Sequence, residues 1–278
     1  MDLEKFYLWS SIASFFVAIF IIIQLFLPNR PPEPPIPATQ VIAHRGYWLK
    51  AEGLQNSLQS LHEAMKIGIY GSEFDVHMTA DSQLIVFHDN KLDTIEDIRK
   101  ANYENIHVHG LFNDLFIPTL ADYFELGSIR ANTQLVLDVK SDLTPERETA
   151  MVTKILELVA DKKVQNLVEY TSFSHHVCCE ILRLNPSAKV AYMGGDITPA
   201  QAKEYGFTGI CYHFSTFDEH PEWVQEAQDL GLTVNAWTVN REEEMVNAIN
   251  LGVDFITTDF PEWVKSDVEK YSKPKKSK

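Results

Sequence analysis

The sequence predicts an α/β chain: a (β/α)8 TIM barrel of parallel strands, preceded by a single N-terminal transmembrane helix. Two patterns carry that expectation. Short β-rich runs alternate with amphipathic helical runs over about 225 residues, close to the usual length of such a barrel. Ahead of them, no charged residue occurs from Phe6 to Asn29. An open doubly wound sheet is the competing arrangement, but no G-x-G-x-x-G follows the first strand.

Taken in order, residues 1–27 are the expected membrane anchor. Residues 6–27, FYLWSSIASFFVAIFIIIQLFL, have the length to cross a bilayer as a helix. Tyr7 and Trp9 lie near one end, where aromatic side chains favour the interface. The run is long for a signal-peptide core and no A-x-A-like site follows closely, so it reads as uncleaved. Lys5 stands beside Asp2 and Glu4 on one side and Arg30 alone on the other, which leaves orientation poorly determined; the domain that follows is expected outside the cytoplasm. Residues 28–39 form a Pro-rich linker, PNRPPEPPIP at its core, that reads as a stiff polyproline spacer. Residues 40–265 hold the barrel, and the basic end 266–278 reads as a solvated tail.

Within the barrel segment the strand candidates are residues 41–43, 71–76, 134–138, 168–171, 189–192, 209–212, 233–237 and 255–258, with 84–87 set aside as a hairpin arm. The helices between them carry their own punctuation. Asn56 is expected to cap a helix that places Leu58, Leu61 and Met65 on one face and ends at Gly68. Pro221 opens another that Gly231 closes, and Asn240 caps a third that Gly252 ends.

Composition narrows the partners. There are 24 basic against 39 acidic residues, a formal charge of −15, which argues against nucleic acid because that needs a basic footprint. Cys178, Cys179 and Cys211 are not a disulfide framework, and without a C-x-x-C pair a thiolate zinc site is not expected. His107 and His109 form an H-x-H pair with no further ligands near them in sequence, so no second metal site is expected there.

The chemistry concentrates in residues 72–89, SEFDVHMTADSQLIVFHD. In an extended strand Glu73 and Asp75 share one face and Phe74 and Val76 the other. If Ala80-Asp81-Ser82-Gln83 close a hairpin, Thr79 faces Leu84 and Asp75 stands opposite His88, with cross-strand partners only about 5 Å apart. In a parallel barrel, function gathers at the C-terminal ends of the strands. The first strand ends in His44-Arg45-Gly46, the second in Glu73 and Asp75, the third in Asp138 and Lys140. Three carboxylates in one small space repel one another unless a cation binds, and oxygen donors suit a hard ion, Ca²⁺ or Mg²⁺. Arg45 and Lys140 match the charge of a phosphoryl group. His44 and His88, with side chains that titrate near neutrality, can divide the proton work. Together these residues suggest metal-assisted hydrolysis of a phosphodiester. Trp237, ending a later strand, would serve as an apolar wall of the substrate pocket.

Six motifs in order make the chain resemble the glycerophosphodiester phosphodiesterases. They are Ala43-His44-Arg45-Gly46, Leu54-Gln55-Asn56-Ser57, Glu73-Phe74-Asp75-Val76, Thr79-Ala80-Asp81-Ser82, His88-Asp89 and Asp138-Val139-Lys140, with Val234–Asn240 and Ile256–Asp259 similar to the closing strands of that family. The resemblance implies a barrel and a divalent metal held by Glu73, Asp75 and Asp138. It implies His44 and His88 as the acid–base pair, and Arg45 and Lys140 at the phosphate. Three positions depart from the family pattern. Gln55, expected in the substrate pocket with Trp237, stands where the P-E-N-T glutamate would be, Asp138 where the E-x-K glutamate would be, and the R-T-T-N-G segment after the H-D pair is missing. The expected activity is therefore hydrolysis of glycerophosphodiesters to sn-glycerol 3-phosphate and an alcohol. The rivals are a lysophospholipase D-like enzyme acting on lipid, which a membrane tether would favour, and a non-catalytic barrel that binds phosphate esters. The two histidines count against the last, since binding alone needs no titrating pair.

Overall fold

The computed structural model describes residues 39–107, 116–129 and 132–271. The expected membrane helix, most of the Pro-rich linker, His109 and residues 272–278 lie outside the described residues. Among the described residues no helix is long and apolar enough to cross a membrane.

Among the described residues nine strands form one sheet: β1 (Gln40–Ala43), β2 (Gly71–Met78), β3 (Leu84–Val86), β4 (Gln134–Val139), β5 (Val168–Ser172), β6 (Val190–Tyr192), β7 (Gly209–His213), β8 (Thr233–Trp237) and β9 (Phe255–Thr258). Their order is β1-β9-β8-β7-β6-β5-β4-β2-β3, and β1 also pairs with β2. Eight parallel strands therefore close on themselves, and β3 is an antiparallel arm paired to the end of β2, beyond the point where β2 pairs with β1. Each expected strand is present. A strand covered on both faces must be apolar outward as well as satisfied inward, and β2 is buried along its whole length. Its outward Phe74 meets Tyr123 with ring centroids 4.5 Å apart, above the apolar face Leu61, Ala64 and Met65 of helix α1 (Leu58–Lys66).

The last helix, Pro261–Tyr271, buries Val264 and Val268, so it runs on past residue 265, where the tail was expected to begin. Two expected helix caps are also corrected. The N-cap of α1 is Ser57, whose side chain accepts from the Ser60 amide, and the helix Glu242–Leu251 is preceded by Arg241. Asn56 and Asn240, each one residue earlier, spend their side chains in the site described below. Asn56 also sits at φ +56°, a left-handed conformation that an N-cap does not adopt.

The β2–β3 register differs from expectation by one residue. Val76 pairs with Val86, His77 with Ile85 and Met78 with Leu84. The Phe87 amide donates to Asp75 O at 3.1 Å, so Phe87 and not His88 lies opposite Asp75. The physical reason is the Thr79 hydroxyl, which donates to Asp81 Oδ1 (2.6 Å) and accepts from the Gln83 amide (2.9 Å). That makes Gln83, rather than Leu84, the partner of Thr79. The loop is then a type I turn followed by Ser82 at φ +64°, the three-residue hairpin form.

Candidate active site

Glu73 and Asp75 project inward from β2, and Asp138 projects from the paired position on β4, directly beside Asp75. One oxygen from each lies within 4.8 Å of the others, and all three residues are buried. Burial, with the charges of Asp75 and Asp138 added, holds the Glu73 carboxyl well above the usual carboxylate range. Burial would raise Asp75 too, but Lys140, Asn56 and Arg45 together hold it below that range. Asp138 is pushed up to about 6 by burial, with Lys140 opposing and Asp75 reinforcing. Lys140 Nζ lies 2.6 Å from both Asp75 Oδ1 and Asp138 Oδ2. The two carboxylates outweigh its burial and keep it an ammonium.

This donor set fits a metal ion. It offers three anionic oxygens within one small volume, and Asp138 Oδ1 is buried without a hydrogen-bond partner. An acceptor left dry in that way costs about 1–3 kcal/mol unless something fills its lone pairs.

The loop after β1 shapes the other side. Arg45 is at φ +54° and Gly46 at φ +77°; a Cβ on Gly46 would stand 2.4 Å from Ser60 Oγ, so no larger residue fits. The Arg45 amide donates to Glu73 Oε2 at 2.9 Å, its Nη1 to Gln55 Oε1 at 2.7 Å, and its Nε lies 3.5 Å from Asp75 Oδ2. Asn56 closes a two-bond clamp on Asp75: Nδ2 donates to Asp75 Oδ2 (2.7 Å) and Oδ1 accepts from the Asp75 amide (3.1 Å).

Each histidine has its Nδ1 on an aspartate. His44 Nδ1 lies 2.8 Å from Asp259 Oδ1, and His88 Nδ1 lies 2.6 Å from Asp89 Oδ1. A carboxylate only accepts, so the proton sits on Nδ1 and leaves Nε2 for chemistry. Asp259 also accepts from Trp48 Nε1 (2.9 Å) and Asn240 Nδ2 (2.6 Å). Burial opposes its ionisation, but these hydrogen bonds and His44 hold it below the ordinary aspartate range. Burial lowers His88, against the charge of Asp75 and its bond to Asp89. His77 Nε2 donates to the His88 carbonyl at 3.1 Å and so anchors the segment after β3; burial pushes His77 itself down to about 4, so it is neutral.

A cavity of about 140 Å³ at the C-terminal ends of the strands is lined by His44, Arg45, Glu73, Asp75, His88, Asp138, Lys140 and Trp237. Of the residues expected from sequence, only Gln55 does not line it; its contact is with Arg45. Phe173, Met193 and Trp237 make the apolar wall. Trp237 is fixed by its Nε1 bond to Cys211 O (2.9 Å) and by the edge of Phe173, ring centroids 5.5 Å apart. The sequence placed none of Asp259, Asn56, Asn240, His77 or Phe173 in the site. The strand-end rule points to Asp259 and Phe173, which follow β9 and β5; the asparagines were hidden behind plausible capping roles.

The sequence model of the glycerophosphoryl diester phosphodiesterase family matches residues 44–263. A glycerophosphodiester phosphodiesterase of Caldanaerobacter subterraneus subsp. tengcongensis is 30% identical over 247 residues, covering 84% of this chain and 98% of that protein. The crystal structure of a glycerophosphodiester phosphodiesterase from Parabacteroides distasonis superposes with a TM-score of 0.82 at 40% identity, covering 85% of this chain and 99% of that one. A putative glycerophosphoryl diester phosphodiesterase from Silicibacter pomeroyi gives a TM-score of 0.74 at 26% identity, covering 84% of this chain and 94% of that one.

Proposed function

The chain belongs to the glycerophosphoryl diester phosphodiesterase family, and we propose that it hydrolyses glycerophosphodiesters to sn-glycerol 3-phosphate and an alcohol, with His44 and His88 as the acid–base pair. The observation that supports this most directly is that both histidines, each held by an aspartate, line one cavity with the acid triad.

Glu73, Asp75 and Asp138 would hold a divalent cation, Ca²⁺ or Mg²⁺ by its oxygen donors, which would neutralise phosphate oxygens as charge builds in the transition state. Arg45 Nε is buried without a hydrogen bond beside the triad and is the cation ready to take a phosphate oxygen. Lys140 was expected at the phosphate as well; bonded to Asp75 and Asp138, it favours the ionised form of both acids, and as part of the cavity lining it would add its charge at the phosphate. His88, kept neutral by burial, accepts the proton of the attacking oxygen. His44 returns a proton through Nε2 to the leaving alcohol, and the Asp259 carboxylate offsets the charge the ring carries before it does.

The test is product release from glycerophosphocholine, glycerophosphoethanolamine and a lysophospholipid, with and without chelator. Chelator-sensitive release of glycerol phosphate from the soluble diesters is the expected result; no release from any substrate would favour the binding-only barrel. The apolar wall of Phe173, Met193 and Trp237 favours a second reading, a lysophospholipid substrate, and the third arm of the assay decides it. The membrane tether belongs to the proposal too, supported by the charge-free run from Phe6 to Asn29. Retention in the membrane fraction after alkaline washing, with protease access from the extracytoplasmic side, is the outcome it requires.

A further inference from the structure

Next to Asp138 the barrel interior holds a second buried polar atom without a partner. Asp138 on β4 and Thr171 on β5 are paired residues of the parallel ladder, and both side chains point into the same cavity. Each residue is only 2% exposed. Asp138 Oδ1 and Thr171 Oγ1 both lack a hydrogen-bond partner, so the two do not bond to each other. The other oxygen of Asp138 is taken by Lys140. In the same layer Asn235 and Thr257 satisfy one another, at 3.0 and 3.1 Å, and Thr171 has beside it only the buried Cys211 thiol, a weak partner. There is room beside it. Val136, Thr171, Cys211 and Asn235 line both the cavity of the site and a second one of about 270 Å³ toward the strand starts. A water takes about 30 Å³ of liquid volume and settles where it finds polar partners.

We propose that a buried water bridges Thr171 Oγ1 and Asp138 Oδ1, and that Thr171 is thereby a positioning residue for Asp138. The hydroxyl can donate to or accept from the water, and a carboxylate oxygen has two lone pairs. One lone pair takes the water; the other stays aimed at the space shared with Glu73 and Asp75. The water fills volume that a longer acid at position 138 would occupy with its extra methylene. The inference rests on the reading of Glu73, Asp75 and Asp138 as the cation-holding set.

The test is calorimetric titration of the metal-free enzyme with Mg²⁺ and with Ca²⁺. Thr171→Val keeps the side-chain shape and removes the hydroxyl; it should weaken binding by about 10–100-fold, the usual cost of losing a partner that orients a ligand. Thr171→Ser should restore the parent affinity. In an Asp138→Glu background, where the carboxylate's extra methylene displaces the water, Thr171→Val should cost little. Parent affinity in Thr171→Val, or the same loss in both backgrounds, overturns the proposal. If Thr171→Val does not fold, a high-resolution crystal structure of the parent decides, and no water within hydrogen-bond distance of both atoms refutes it. A parent that binds neither cation but releases glycerol phosphate would remove the cation reading and this inference while leaving the family activity standing.

Discussion

The Nδ1–H of His44 donates to Asp259 Oδ1 over 2.8 Å, joining residues 215 positions apart where the first and last strands of the barrel meet. Thr258, the last residue of β9, is the ladder partner of Ala43, so the next residue along each strand brings acid and imidazole together. Closure of the barrel thereby assembles one half of the proposed acid–base pair. Asp259 is held in turn by Trp48 and by Asn240, whose Oδ1 accepts from the Asp259 amide at 2.9 Å.

Replacing Asp259 by Asn should lower kcat by about 10²-fold or more while KM changes little. A carboxamide can present N–H to His44 Nδ1 and so force the wrong tautomer, a loss comparable to that of general acid–base catalysis. Steady-state kinetics on glycerophosphocholine, with circular dichroism to check the fold, measures it. A parent-like kcat would take Asp259 out of the mechanism.

His44→Ala and His88→Ala should each cost about 10²–10⁴ in kcat. Because the two rings serve one proton-transfer cycle, the double variant should lose far less than the product of the single losses. Multiplicative losses would mean that the two residues act in separate steps.

Metal affinity should fall as the solution is acidified. Burial raises both Glu73 and Asp138, the latter to about 6, so acid favours their protonated forms in the metal-free protein. A cation must displace those protons, so affinity is greatest above pH 6 and declines as pH drops through it. Titrations in buffers of different ionisation enthalpy should register proton release near pH 6. Affinity independent of pH between 5 and 8 would show that these acids are not the ligands.

Ser82→Gly should stabilise the protein by up to about 1 kcal/mol. Ser82 sits at φ +64° in the β2–β3 loop, where a Cβ is strained and glycine is not. The melting temperature should rise by about 2–4 °C at unchanged kcat. A fall in melting temperature would mean that the serine side chain contributes more to this turn than its strain costs.

The eight barrel strands were legible because each is a short apolar run bounded by helix punctuation, and burial on both faces leaves a strand little freedom of composition. His44, Arg45, Glu73, Asp75, His88, Asp138, Lys140 and Trp237 were legible for a related reason: parallel topology carries every strand end to one rim, so position along the chain predicts position in space. The hairpin register was not, because whether Leu84 or Gln83 pairs with Thr79 turned on one hydroxyl, and a slip of one residue leaves the apolar pattern just as long. Asn56 and Asn240 suited helix caps locally. Only the folded chain offered them stronger partners, the buried carboxylate of Asp75 and the half-buried one of Asp259. Local periodicity and motif spacing thus determined the barrel and which side chains reach its rim. Tertiary structure decided which of them bond to one another, because a hydrogen bond between residues 215 positions apart depends on distances that exist only once the ring has closed.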